Sequence, residues 1–156
     1  MSIFSRIEKP RVKSNTFNLT HDVKTTTNFG VLTPIMVQEC LPGDRWNIKG
    51  NALVRLAPQI APVMHRANVY CHYFFVPNRL TFNPTVANNW ENFITGGKDG
   101  LDNTAHPVIR FPSGDPSYDV GKLADYMGLP VHIGGSTDAV VNAFPFAAYQ
   151  KIYNDY

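Results

Sequence analysis

The stretch Asn68-Val69-Tyr70-Cys71-His72-Tyr73-Phe74-Phe75-Val76 constrains the fold more than any other part of the chain. Successive side chains of a β-strand point to opposite faces. Val69, Cys71, Tyr73 and Phe75 would then share one face, and Tyr70, His72, Phe74 and Val76 the other. Both faces are apolar or aromatic, so a strand of this kind needs cover on both sides. Pro77 ends it, because proline cannot donate to a sheet ladder. The expectation is a layered β-protein in which one face of this strand meets a core. The other face would meet a second layer or a neighbouring subunit.

The residues before it repeat the β pattern. Thr16 to His21 alternates polar and apolar side chains, as a half-buried strand does. Phe29 to Glu39 is rich in β-branched residues and carries Pro34, which suits an edge or a bulge. Leu41-Pro42-Gly43-Asp44 is a turn signal. Arg45 to Lys49 alternates again, Gly50-Asn51 breaks the chain, and Ala52 to Leu56 reads as another short strand. Ala57 to Pro62 holds two prolines and reads as a crossing loop.

After Pro77 the character changes. Asn83-Pro84 is a helix start, with Asn as cap and Pro in the first turn. Trp90, Phe93 and Ile94 lie on one side of that helix, and Gly96-Gly97 stops it. Lys98 to Ser117 reads as loop, and a second short helix is expected from Asp119 to Met127. Val131 to Ala143 reads as a further loop with room for a short strand. A third helix begins near Pro145, with Phe146, Tyr149, Ile152 and Tyr153 at helical spacing. Its apolar stripe is still running at Tyr156 with no C-cap, and a closed sandwich or barrel commonly has seven or eight strands. The expectation is therefore the first part of a larger fold in three sections. These are a basic arm (1–15), strands (16–80) and a helix-containing insertion (81–156).

Composition agrees with an assembling chain. Hydrophobic residues make up 44% of the 156 and charged residues 17%, against about 25% charged in an average domain. Low charge with many aromatics indicates apolar surface that a partner covers. The net charge of +2 does not itself imply nucleic-acid binding. Its distribution is more informative: Arg6, Lys9, Arg11 and Lys13 crowd the first thirteen residues, opposed only by Glu8. Such arms neutralise phosphates by counterion release without reading base sequence, so these four residues are the candidate nucleic-acid contacts. No apolar region follows the arm, as a signal peptide would require, and no apolar run is long enough to span a bilayer. A soluble chain made in the cytoplasm is expected, with no membrane partner.

Catalytic and metal patterns are weak. Cys40 and Cys71 stand apart in apolar surroundings and read as buried free thiols, not as a disulfide framework or zinc site. Asn18-Leu19-Thr20 fits the glycosylation triplet, which carries little meaning without a signal peptide. His21, His65, His72, His106 and His132 follow no metal spacing. His21-Asp22 lacks a nucleophile elbow, and neighbours on a strand point apart. His72 reads as a packed, hydrogen-bonded core histidine. Gly96-Gly97-Lys98-Asp99-Gly100 lacks the spacing and the Ser/Thr of a phosphate-binding loop. Asp99, Asp102 and Asn103 lack the calcium-loop pattern and read as a solvated turn. No cofactor is expected.

A series of motifs resembles one family. Ser14-Asn15-Thr16-Phe17-Asn18-Leu19-Thr20-His21-Asp22, Lys24-Thr25-Thr26 and Gly30-Val31-Leu32-Thr33-Pro34-Ile35 look like the opening of the major capsid protein of Microviridae. The resemblance is to its gokushovirus-type branch, small phages with circular single-stranded DNA. Pro42-Gly43-Asp44, Ala61-Pro62-Val63-Met64-His65-Arg66 and Tyr73-Phe74-Phe75-Val76-Pro77-Asn78-Arg79-Leu80 continue it in order. Trp90 to Gly97, Phe144-Pro145-Phe146 and Ala148 to Tyr156 complete it. The resemblance implies a mainly β viral jelly-roll sandwich with helix-containing loop insertions, of which this chain would be the N-terminal part. It implies a structural subunit of a T=1 icosahedral virion capsid, made in the bacterial host cytoplasm, without enzymatic activity. The implied partners are other capsid copies, the remainder of the capsid protein, and genomic single-stranded DNA or a small basic packaging protein. Two rival readings are a carbohydrate-binding β-sandwich module using Trp46 or Trp90 as stacking platforms, and a metal-dependent enzyme on a β-scaffold.

Overall fold

The computed structural model describes residues 13–82, 90–101, 106–131 and 138–156. Regular structure in these residues begins only at Asn78. In order it comprises α1 (Asn78–Thr81), α2 (Trp90–Thr95), β1 (Val108–Phe111), a 3₁₀ turn (Pro116–Tyr118), α3 (Leu123–Tyr126), β2 (Ala139–Asn142) and α4 (Phe144–Asp155).

Residues 13–77 form neither helix nor ladder, only turns. The five segments expected as strands between Thr16 and Val76 are thus unpaired among the described residues. Strand identity depends on a partner chain segment to accept and donate ladder hydrogen bonds, and no described segment supplies one here. The turn chemistry reads correctly all the same. At Leu41–Asp44 the Asp44 amide donates to the Leu41 carbonyl at 3.1 Å, and the Asp44 carboxylate accepts from the Leu41 amide at 2.9 Å. Gly43 sits at φ 93°, the third position of a Pro-Gly turn that requires positive φ. A second reversal at Phe29-Gly30 brings the Thr27 and Thr33 hydroxyls to 2.6 Å.

β1 lies inside the stretch expected to be loop. Val108-Ile109-Arg110-Phe111 is bounded by Pro107 and Pro112, and those prolines masked a short alternating run. It pairs antiparallel with β2 in the register Val108↔Asn142, Ile109↔Val141, Arg110↔Val140 and Phe111↔Ala139. The pair is fastened at both ends. The Ala143 amide donates to the Pro107 carbonyl at 3.0 Å, and the Ser113 amide to the Asp138 carboxylate at 3.2 Å. Ile109 and Phe111 face inward, while Val108 and Arg110 face solvent.

The second expected helix is shorter than Asp119–Met127. Asp115 starts a single 3₁₀ turn instead, accepting from the Ser117 hydroxyl at 2.6 Å and the Ser117 amide at 2.8 Å. The hydroxyl bond first, then the amide bond, holds the Asp115 carboxyl below its ordinary pKa. α3 follows with only four residues, since Gly121 and Gly128 flank it in positive φ. Residues 83–89, which include the expected Asn83-Pro84 helix start, lie outside the described residues, as does His132. α2 ends as expected, with the Gly96 amide donating to the Asn92 carbonyl at 2.8 Å and both Gly96 and Gly97 at positive φ. α4 matches the expected third helix. Pro145 occupies its first turn, and the Asn142 side chain accepts from the Phe144 amide at 2.9 Å.

The core is small: α1 packs against both α2 and α4, β1 pairs with β2, and α3 packs on the 3₁₀ turn. Phe111, Ala124 and Phe144 are its buried hydrophobic residues. Phe144 is surrounded by Phe82, Trp90, Phe93 and His106 at ring-centroid distances of 6.1, 6.0, 6.4 and 5.2 Å. Phe111 stacks on Tyr118 at 4.7 Å and meets Phe146 at 5.9 Å. These edge-to-face and offset arrangements suit the ring quadrupole, at about 0.5–1.5 kcal/mol per pair beyond the area buried.

Candidate assembly surface

The residues from 13 to 77 carry the candidate surface. The chain exposes 14562 Å², nearly twice the roughly 7,900 Å² that a monomeric protein of this mass leaves accessible. Many large apolar side chains of this stretch are exposed. Phe17 is 76% exposed, Leu53 87%, Met64 87% and Phe75 80%. Val31, Ile35, Leu41, Ile48, Val69, Tyr70 and Tyr73 are exposed as well. Soluble monomers rarely present contiguous apolar patches beyond a few hundred Å², and larger ones mark interaction surfaces.

The end of α4 touches the two-faced stretch 68–76. Tyr156, at the end of α4, packs its ring edge-on against His72 at 5.1 Å and Phe74 at 5.2 Å. Its hydroxyl shares a hydrogen bond with the His72 ring at 3.2 Å. Tyr156 thus touches His72 and Phe74, while every residue from Asn68 to Phe75 remains exposed, Tyr70 at 73% included. His72 is hydrogen-bonded as expected but exposed, a correction to the core-histidine reading. Cys40 and Cys71 are both free and both exposed, where burial was expected. The reason is common to all three: burial of these side chains requires a second layer over residues 13–77, and no described segment forms one.

Part of the same stretch is tied to the helical region. The Tyr126 hydroxyl donates to the Thr26 carbonyl at 2.9 Å. The Tyr149 hydroxyl donates to the Leu32 carbonyl at 2.7 Å. The Asn142 amide donates to the Glu39 carboxylate at 3.0 Å. Burial, with a smaller contribution from nearby Tyr153, raises the Tyr149 phenol above its ordinary pKa. Sequence reading singled out none of these contacts. Tyr149 was visible only as a member of the α4 apolar stripe, and nothing in its spacing says that its hydroxyl reaches a carbonyl 117 residues away.

The other sequence-level candidates fall as follows. Arg6, Lys9 and Arg11 lie outside the described residues, and Lys13 is exposed. His21 turns its Nδ1 to the Leu19 carbonyl at 2.8 Å. Gly97 to Gly100 forms a turn, as expected. Among the described residues no three His, Cys, Asp or Glu side chains gather as a metal site would need. Among them, too, no helix is long and apolar enough to cross a membrane. Trp90 is engaged in the Phe144 cluster, at 5.7 Å from Phe93 and 6.1 Å from Phe82, so of the two tryptophans Trp46 is the exposed one.

Comparison with known proteins matches residues 5–156 to the family described as capsid protein (F protein). The chain is 36% identical over 155 residues to capsid protein VP1 of Bdellovibrio phage phiMH2K, covering 98% of this chain and 27% of that relative. It is 33% identical over 159 residues to capsid protein VP1 of Chlamydia phage 1, covering 98% of this chain and 25% of that relative. The chain thus spans about a quarter of the length of these curated relatives. No solved structure matches it. With a family match across nearly the whole chain and two relatives aligned end to end with it, the chain belongs to the capsid protein (F protein) family of the Microviridae.

Proposed function

We propose that this chain serves as a non-enzymatic structural part of the capsid of a small single-stranded DNA bacteriophage. Family membership across residues 5–156 is the observation that carries this reading. The chain works by shape and surface, and its place is the virion, after synthesis in the host cytoplasm. Its self-partners are other capsid copies in a T=1 icosahedral shell. Residues 16–80 supply the first strands of a jelly roll, and residues 81–156 supply a helix-containing insertion. The exposed apolar side chains of residues 13–77 support that assignment, since they have the composition of strands awaiting a second layer. The remainder of the capsid protein would provide that layer.

The basic arm, residues 1–15, lies on the inner side of the shell and faces the genome. Four cations at Arg6, Lys9, Arg11 and Lys13 would release counterions from single-stranded DNA, giving a salt slope of roughly 0.7 per neutralised phosphate. Mass spectrometry of purified phage particles tests the central reading: peptides from residues 13–82 should be abundant there, and their absence removes it. For the arm, single-stranded DNA binding by the wild type and an Arg6→Ala/Lys9→Ala/Arg11→Ala/Lys13→Ala variant is measured against salt. The slope should fall by about 3. An unchanged slope, or an arm on the outer face of the particle by cryo-electron microscopy, refutes the placement.

A further inference from the structure

Acids and cations are unevenly distributed along this chain. Between Asp44 and Glu91 stand Arg45, Lys49, Arg55, Arg66 and Arg79, and none of the chain's 12 Asp and Glu residues. All five cations are exposed, and among the described residues none of them is in an ion pair. Open rings stand among them. Trp46 follows Arg45 directly and is 38% exposed, while Tyr73 is 68% and Phe75 80% exposed. Among the described residues none of these three rings packs on another aromatic ring. Two parts of the stretch lie side by side. The Tyr73 hydroxyl is 3.8 Å from where a Cβ on Gly50 would stand, so Lys49-Gly50 runs next to the tip of Tyr73.

Aliphatic side chains can be covered by a second protein layer, but unpaired cations lose their hydration under one at a high cost. A single-stranded polynucleotide suits both kinds of group found here. Its phosphates neutralise cations with release of counterions, and its unpaired bases present π-faces to aromatic rings. A duplex offers the same phosphates but keeps its bases stacked on one another. We propose that the acid-free stretch 45–79 is a binding track for single-stranded nucleic acid. Trp46, Tyr73 and Phe75 are its stacking platforms, and Arg45, Lys49 and Arg66 are phosphate contacts. The identity of the strand rests on the capsid reading above, which makes it the packaged genome. This track is distinct from the arm, since Asp22, Glu39 and Asp44 separate the two in the sequence. Binding tolerates any base sequence, because every base has a π-face.

The test uses the full chain carrying Arg6→Ala/Lys9→Ala/Arg11→Ala/Lys13→Ala, so that the arm contributes nothing, and a thymidine oligonucleotide of about 15 nucleotides. Binding should quench tryptophan emission. Trp46→Ala should abolish the quenching and weaken binding by at least about fivefold. Arg45→Ala/Lys49→Ala/Arg66→Ala should lower the salt slope by about 2. Lys98→Ala/Arg110→Ala/Lys122→Ala removes the same charge from exposed positions outside the track and should leave the slope nearly unchanged. Equal losses from the two triple variants, unchanged affinity in Trp46→Ala, or equal affinity for a duplex of the same length overturns the proposal. Ultraviolet crosslinking of purified phage, read by mass spectrometry, separates the track from the capsid reading. Thymidine adducts should fall on residues 45–79. Peptides of this chain without such adducts overturn the track and leave the capsid reading standing. Absence of the peptides defeats the capsid reading, and the oligonucleotide titrations then decide the track by themselves.

Discussion

Phe144 sits where the small core can be tested with a single substitution. It is 9% exposed and touches four rings at 5.2–6.4 Å. Phe144→Leu keeps an apolar side chain of similar reach and removes the ring contacts. Aromatic pairs contribute about 0.5–1.5 kcal/mol each, but pairs around one ring do not add, so a loss of about 1.5–3 kcal/mol is expected. Phe144→Ala also opens a cavity and should cost about 3–5 kcal/mol, a large share of the 5–15 kcal/mol typical of a small domain. Urea denaturation followed by tryptophan fluorescence is the assay. Trp90 lies 6.0 Å from Phe144 and reports on the cluster, whereas Trp46 is exposed and contributes a small change. With a denaturant slope of about 1.5 kcal/mol per molar, the Leu variant should shift the midpoint down by roughly 1–2 M. Phe17→Ala is the control, since Phe17 is 76% exposed and should shift stability by less than about 0.5 kcal/mol. A Phe144→Leu change no larger than the Phe17→Ala change refutes the claim that the chain is organised around this cluster.

Gly96→Ala should destabilise the α2 terminus by at least about 1 kcal/mol, because φ is 74° and a Cβ would lie 2.9 Å from the Gly100 carbonyl group; thermal unfolding measures it. Lys151→Ala should cost at most about 0.5 kcal/mol, since its 2.8 Å pair with Asp155 is an exposed i,i+4 contact, and the cost should vanish in 1 M salt. The raised Tyr149 pKa means that the fold favours the neutral phenol. Its stabilising contribution is fully present below the ordinary phenol pKa of about 10 and is lost as pH rises through the higher folded value. Unfolding free energy of the wild type should therefore decline across that alkaline window more steeply than that of Tyr149→Phe.

Local chemistry was the part of this protein most legible from its residues. Pro42-Gly43 dictates a turn wherever it is placed, because proline fixes one φ and only glycine takes the next at low cost. Gly96-Gly97 stops a helix for the same steric reason, and Phe146, Tyr149 and Ile152 announce α4 by spacing alone. The ordered run of family motifs, from Ser14 to Tyr156, also identified the capsid relationship that the comparisons show. Where propensity needed a partner, sequence reading went astray. Residues 68–76 have every mark of a strand, yet a strand exists only when another segment completes its hydrogen bonds, and none of the described segments does. The reverse held for Val108–Phe111, whose flanking prolines suggested loop until β2 supplied the other half of the ladder.

Sequence alone therefore determined the family, the turns, the main helix and the basic character of the arm, since these follow from residue identity and near-neighbour spacing. Tertiary structure decided that Tyr156 reaches His72 and Phe74, that Cys40 and Cys71 are exposed, and how Tyr126, Tyr149 and Asn142 hold residues 26–39. Those outcomes join residues about 80 to 120 positions apart, and no periodicity along the chain encodes which distant carbonyl a hydroxyl will reach. The two-faced stretch accordingly has contacts from Tyr156 on His72 and Phe74, and its side chains from Asn68 to Phe75 remain exposed.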